Sequence, residues 1–147
     1  GTTPSYGMIK TARANIEIGL NVIIRPRGGD FLYSDSEIEE MVHDIRTARD
    51  LGADGLVFGC LTSDGDVDIE AMKPLMEAAK EAGFDGIMTG NLGLFELARQ
   101  MGWETIVADY QMNIFNDVTL QYLSEKEISR AVLSPELSLE QMILMPT

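Results

Sequence analysis

Short apolar runs alternate with amphipathic segments along the whole chain. Five of these runs are rich in Val, Ile and Leu and predict short strands at residues 21–24, 56–58, 87–89, 105–108 and 131–133. The segments between them place apolar residues three and four positions apart, which is typical of helices that bury one face. After Ser34, for example, one face carries Ile38, Met41 and Ile45. The pattern therefore predicts an α/β fold built from β/α repeats.

A repeated phrase marks the joints between these repeats. Residues 52–59 (GADGLVFG) return 31 positions later as residues 83–90 (GFDGIMTG), and residues 102–109 (GWETIVAD) form a weaker copy. In each copy a glycine follows a helical segment, where it can end the helix in a left-handed turn, and an apolar strand comes next. Successive units of this kind predict one five-stranded parallel sheet with right-handed crossovers.

The length of the chain limits how far such a sheet can close. A closed β/α barrel needs eight units and about 250 residues, whereas this chain has 147 residues and five predicted strands. We therefore expect a partial TIM barrel or an open, flavodoxin-like doubly wound sheet. One domain over residues 1–147 is the natural size. Its exposed sheet edges predict self-association.

Capping residues predict where several helices begin. Ser34 and Glu37 have the spacing of a capping box, and Ser138 can cap a final helical turn. Pro74 lies inside the third helical pattern, so we expect the regular part of that helix to begin only at Met72 or Lys73.

The charge of the chain excludes some partners. With 11 basic and 24 acidic residues, the net charge is −13, which argues against nucleic acid and against anionic membrane surfaces. No apolar run approaches the roughly 18 residues of a spanning helix, and no secretory signal is visible. Cys60 is the only cysteine, which excludes an intramolecular disulfide and favours the reducing cytoplasm. The first and last residues suggest a piece of a longer protein.

The first part of the chain resembles a known family. The resemblance rests on residues 1–5 (GTTPS), 24–35 (IRPRGGDFLYSD), 52–59 and 64–68 (DGDVD), with the second run the most specific. Over residues 1–82 the chain resembles the copper homeostasis family CutC. This resemblance implies a fragment of a TIM barrel and a connection to copper.

The second part resembles a different family in four short motifs. They are residues 90–93 (GNLG), 108–110 (ADY), 113–116 (NIFN) and 133–138 (LSPELS). Residues 84–142 are thus similar to a barrel segment of the collagenase-like peptidases. The iron–sulfur signature of some members lies outside this segment, so that function is not carried over.

Two resemblances in one chain lead us to interpret it as a chimera. We place the seam near residues 82–86, within the second copy of the repeated phrase, and expect a chimeric or designed domain without evolved catalytic activity. Two alternatives remain open: a CutC-like copper-binding homeostasis protein, and a residual phosphate-binding or enzymatic activity at the loops that follow the strands.

Candidate anion-binding residues lie on two of those loops. Arg25 and Arg27 lie just before a Gly28-Gly29 pair. Forked hydrogen bonds from the arginines and backbone N–H groups of the glycines could hold a phosphate or carboxylate here. Gly90 and Asn91 lie between a strand and a helix, a second position suited to anions. The competing interpretations are ion pairs between the arginines and nearby carboxylates in the first loop and a tight turn in the second.

Cys60 is the candidate metal ligand. It follows a predicted strand, and its thiolate is the soft donor that Cu(I) favours. One thiolate alone makes a poor site, so a small buried side chain is the competing interpretation. We predict no catalytic residues. We also predict no resident cofactor, although copper is a possible ligand that can be tested.

Overall fold

The computed structural model describes residues 1–145, and the chain divides into two compact units, Gly1–Phe84 and Asp85–Thr147. Each unit contains parallel strands joined by helices, so the predicted α/β class with parallel β/α repeats is confirmed. The five strands lie in a two-stranded and a three-stranded sheet, not in one five-stranded sheet. Hydrophobic periodicity predicts that strands exist and run parallel, but it does not specify which neighbours pair.

The first unit contains two paired strands and three helices. Its elements are β1 (Asn21–Ile23), β2 (Gly55–Val57), α1 (Tyr6–Asn15), α2 (Asp35–Asp50) and α3 (Ile69–Glu81). β1 and β2 are parallel, with Val22 opposite Leu56. Apolar side chains from the strand region and helices are buried together, among them Val22, Ile24, Met41, Ile45 and Leu75.

One carboxylate ties α1 to the entry of both strands. Asp54 Oδ2 accepts hydrogen bonds from the Leu20 backbone N–H and from Arg13 Nη1, both at 2.7 Å. These two donors, the backbone N–H first, lower the pKa of Asp54. Gly52, which ends the preceding helix, has φ +88°, the left-handed conformation expected of the repeated phrase.

The predicted caps Ser34 and Ser138 begin α2 and the last described helix, whereas the predicted start of α3 differs from the structure. Ser34 and Glu37 form both halves of the capping box at the start of α2. The prediction for α3 was wrong: this helix begins at Ile69, with Asp68 as its cap, and includes Pro74. The Asp68 carboxylate accepts from the Ala71 N–H, so capping fixes the first turn despite the later proline.

The second unit has strand order β3-β4-β5, all parallel. Its elements are β3 (Gly86–Thr89), α4 (Leu92–Gln100), β4 (Thr105–Ala108), a 3₁₀ turn (Tyr110–Met112), α5 (Asp117–Glu125), β5 (Arg130–Ala131) and α6 (Leu139–Ile143). Its core includes Ala108, Ile114 and Leu123. β5 is shorter and begins earlier than predicted.

The boundary between the two compact units lies after Phe84. That the whole chain folds as one domain stays a prediction. The longest described helix, α2, has 16 residues. Within residues 1–145 no helix is both long and apolar enough to cross a membrane.

Candidate functional site

The loop that follows β1 carries two arginines, each of which lies over one aromatic ring. Arg25 Cζ lies 4.4 Å from the ring centroid of Phe31, and Arg27 Cζ lies 5.4 Å from that of Tyr33. The two rings meet edge to face, with their centroids 6.5 Å apart. We call these four side chains the arginine–aromatic loop. Cation–π contacts of this kind hold the guanidinium groups in place at the carboxyl end of the strand.

Arg27 is already occupied by acceptors within the chain. It donates to Asp30 Oδ1 at 2.9 Å, to Glu37 Oε1 at 2.5 Å and to the Leu32 carbonyl at 2.6 Å. The two carboxylates raise the pKa of Arg27. The Ser34 backbone N–H, followed by Arg27, lowers the pKa of Glu37. Arg27 therefore fastens the loop to the start of α2, and an anion here would compete with two carboxylates.

Arg25 leaves a donor unused. Its Nη2 donates to the Gly29 carbonyl at 2.6 Å and its Nη1 to the Gly1 carbonyl at 3.3 Å. Gly29 has φ +93°, a conformation that favours glycine. Arg25 Nε is buried with no hydrogen-bond partner within residues 1–145, and so is the Tyr33 hydroxyl. Buried polar groups without a hydrogen-bond partner commonly bind a polar ligand or a bridging water.

Cys60 follows β2, and the backbone next to it is hydrogen-bonded to the arginine–aromatic loop. The Leu61 N–H donates to the Phe31 carbonyl at 2.9 Å, which joins the two loops. Cys60 is only 2% exposed, and its carbonyl accepts from the Asp68 N–H. Burial, together with the nearby Asp68 charge, raises the pKa of the Cys60 thiol to about 11. At neutral pH the side chain is therefore a protonated thiol.

The metal-ligating neighbourhood of Cys60 is sparse. Among the described residues, 1–145, no group of three or more His, Cys, Asp and Glu side chains could hold a metal ion. A metal bound by Cys60 would therefore displace the thiol proton, and its other ligands would be thioether sulfurs or backbone carbonyl oxygens.

The remaining candidates lie in the second unit. Asn91 Oδ1 accepts from the Leu94 N–H at 3.0 Å and so caps α4. Gly90 lies against Gln111: a Cβ at Gly90 would come 2.5 Å from the Gln111 Cβ. The structure thus groups Arg25, Arg27, Gly28, Gly29 and Cys60 in the first unit and places Gly90 and Asn91 in the second.

Parallel strands joined by helices, with polar side chains collected on the loops that follow the strands, define a protein built from parallel β/α repeats. The chain belongs to the CutC family, whose model matches residues 1–107.

Individual relatives agree with this assignment. The chain is 59% identical over 81 residues to a CutC family protein of Parabacteroides distasonis, a match that covers 54% of this chain and 33% of the relative. It is 58% identical over 76 residues to the copper homeostasis protein cutC homolog of Homo sapiens, covering 52% and 28%. The matches thus span about a third of the length of these curated relatives.

A solved structure extends the similarity over more of the chain. CutC from Streptococcus agalactiae has a TM-score of 0.54 and 28% identity to this chain, covering 89% of it and 81% of the other chain. The first unit holds 84 of the 147 residues, so a match of this extent includes part of the second unit.

These matches overturn the interpretation as a designed chimera without evolved function. The CutC model runs through the predicted seam at residues 82–86 and ends at residue 107. None of the matches supports the resemblance of residues 84–142 to collagenase-like peptidases. The motifs behind that resemblance are short and lie in or beside the connections from strands to the next helices, where any β/α repeat needs similar turn residues.

Sequence reasoning missed the partners that shape the loop after β1. Phe31, Tyr33 and Glu37 each contact one of the two arginines. Two aromatic residues at alternate positions shortly after two alternate arginines were a usable signal, because such residues commonly stack. The ion pair between Glu37 and Arg27 was not predicted, because Glu37 had already been assigned to the capping box of α2.

Proposed function

We propose that this chain acts in copper homeostasis, as a CutC-type protein that binds Cu(I) through Cys60. The observation that supports this most is the family match over residues 1–107, which includes Cys60. The human relative carries the words copper homeostasis in its name. As Cys60 is the only cysteine of the chain, the proposed setting is the reducing cytoplasm, where both a free thiol and Cu(I) persist.

The buried position of Cys60 determines how it would bind copper. Thiolate is the binding form, whereas the pKa of about 11 keeps the thiol protonated at neutral pH. Binding would therefore release a proton, and the apparent affinity would rise about tenfold per pH unit below that pKa. This coupling distinguishes Cys60 from an exposed thiol, whose affinity would level off near the ordinary thiol pKa of 9.0.

The test is an anaerobic Cu(I) titration of the chain against a competing chromogenic chelator. We expect one Cu(I) per chain, a dissociation constant about 100-fold lower at pH 9 than at pH 7, and loss of binding in Cys60→Ser. Met8→Ser is the matched control, because the Met8 thioether is 63% exposed and far along the chain from Cys60. Stoichiometric binding retained in Cys60→Ser, or none in the original chain, would refute the proposal.

A second candidate function is anion binding at the arginine–aromatic loop. The unused Arg25 Nε and the unpaired Tyr33 hydroxyl favour it, since each can donate a hydrogen bond to an acceptor. Arg27 would contribute positive charge while remaining bound to Glu37. A phosphate or carboxylate is the fitting ligand class.

Thermal unfolding with phosphate tests this candidate. Binding to the native state alone raises the midpoint, so millimolar phosphate should stabilise the original chain but not Arg25→Ala. Tyr33→Phe keeps the ring and removes only the hydroxyl, and should weaken the stabilisation. Arg46→Ala is the control, since Arg46 is half exposed and lies on α2 outside the loop. An unchanged midpoint with phosphate would remove the candidate.

A further inference from the structure

The second unit contains a cavity of about 400 Å³ beside the loop that follows β3. Its wall consists of residues from that loop, from the first turn of α4, from the 3₁₀ turn after β4 and from α5. Those used below are Gly90, Asn91, Gln111, Met112, Tyr122 and Leu123. The volume lies within the range of small-molecule sites. The cavity includes two residues that the sequence singled out, Gly90 and Asn91, and the copper proposal uses neither.

The cavity is lined without any charged side chain, although the chain as a whole carries a net charge of −13. An anionic ligand would meet no cation among the lining residues and would be repelled by the acidic chain. A cationic ligand would meet no carboxylate in the wall. The lining therefore favours an uncharged ligand.

Three features of the wall specify the shape of that ligand. Tyr122 is 54% exposed and offers a ring for stacking. Met112 and Leu123 supply apolar surface, with Leu123 in the core of the unit. Gln111 supplies an amide with a donor and an acceptor, and the same pair of groups binds the donor–acceptor edge of adenine bidentately.

Gly90 determines where the Gln111 side chain lies. The space that a Cβ would fill at Gly90 is occupied by the Gln111 side chain, with its Cβ at 2.5 Å and its Oε1 at 2.6 Å from that point. Any larger residue at position 90 would displace Gln111 from the wall. The Lys126 ammonium lies 5.6 Å from the Tyr122 ring centroid, although Lys126 is not among the lining residues, so a ligand that stacks on Tyr122 shares the ring with this cation.

We propose that this cavity binds an uncharged, planar nitrogen heterocycle of the adenine type. The ring stacks on Tyr122, and its donor–acceptor edge pairs with the Gln111 amide. The proposal is independent of copper binding, because its residues belong to the second unit and Cys60 belongs to the first.

Adenosine, with amide NMR spectra of the full chain as the readout, is the probe that tests the proposal. We expect saturable shifts confined to residues 90–93, 111–112 and 119–123. Tyr122→Leu should weaken adenosine binding by about fivefold or more, the effect of removing one base–aromatic stack. Tyr110→Leu is the matched control, because Tyr110 is similarly exposed, at 47%, and does not line the cavity.

Gln111→Ala gives a second variant that does not disturb the core, since Gln111 is exposed. It should also weaken binding while leaving the spectrum elsewhere unchanged. Inorganic phosphate should give no saturable shift at these residues. Absence of saturable shifts with adenosine, equal binding in Tyr122→Leu and Tyr110→Leu, or equivalent shifts with phosphate alone would each overturn the proposal.

Discussion

Raising the pH should destabilise the first unit through a single side chain, Cys60. Cys60 is 2% exposed, and burial raises the pKa of its thiol to about 11 in the folded chain, against 9.0 as the ordinary value. A raised folded pKa gives stability that is fully present below the unfolded pKa. That stability is lost as the pH rises through the folded pKa. The relevant window is therefore about pH 9 to 11.

The size of the effect follows from the pKa difference. Two pKa units correspond to about 2.7 kcal/mol at full titration, and to about 2 kcal/mol at pH 10.5, where the folded thiol is still largely protonated. The comparison is with Cys60→Ala, which has no thiol to titrate and nearly the same volume. Other groups that titrate in this range are common to both proteins and cancel in the difference.

Urea unfolding of both proteins between pH 7 and 10.5 measures this difference directly. The advantage of the original chain over Cys60→Ala should shrink by about 2 kcal/mol across the range. Iodoacetamide labelling of the folded chain should accelerate about tenfold per pH unit up to pH 10. A free-energy difference that does not change with pH would refute the reasoning, because it would mean that burial does not disfavour the thiolate.

Three further predictions follow from other parts of the chain. Ile45→Ala removes a fully buried side chain from α2 and should cost about 2–5 kcal/mol in urea unfolding, whereas Ile18→Ala, at a 74% exposed position, should change stability little; equal effects would contradict the described core. The pKa of Asp54 is lowered in the folded chain, so its stabilisation is present above about pH 4 and lost as the pH falls through the folded pKa. The stability difference from Asp54→Asn should therefore be smaller at pH 3 than at pH 7 in acid unfolding, and a constant difference would count against the Arg13 and Leu20 contacts. Self-association stays a prediction: Met88, 57% exposed on a strand, should contribute, and sedimentation should show species above 16.2 kDa that Met88→Lys dissociates; monomer at every concentration would exclude it.

The β/α repeat could be predicted from the sequence because each of its signals is local. Capping residues such as Ser34 and helix-ending glycines such as Gly52 act within a few positions of themselves. Strand pairing depends on contacts between distant segments, and periodicity does not encode it. Pro74 misled the prediction for α3 because the Asp68 cap and a buried face that includes Met72 and Leu75 outweigh the lost hydrogen bond.

The candidate site was predictable in its residues but not in its interactions. Arg25 and Arg27 have the same side chain and lie two positions apart, yet Arg27 is held by two carboxylates while Arg25 keeps an unused donor. The difference depends on where α2 begins relative to the loop, which no local pattern specifies. Likewise, Cys60 could be named as a ligand, but its raised pKa reflects burial by the surrounding fold.

The bonds of Asp54 also limit the order in which the first unit can form during synthesis. Helix α1 is tied down by a contact between Arg13 and Asp54, 41 positions apart in the chain. At translation rates of about 5–20 residues per second, roughly 2–8 seconds separate the synthesis of the two residues. During that interval α1 has no anchoring carboxylate, and a ten-residue helix is marginal in water. Helix α1 is therefore fixed only after α2 has been completed.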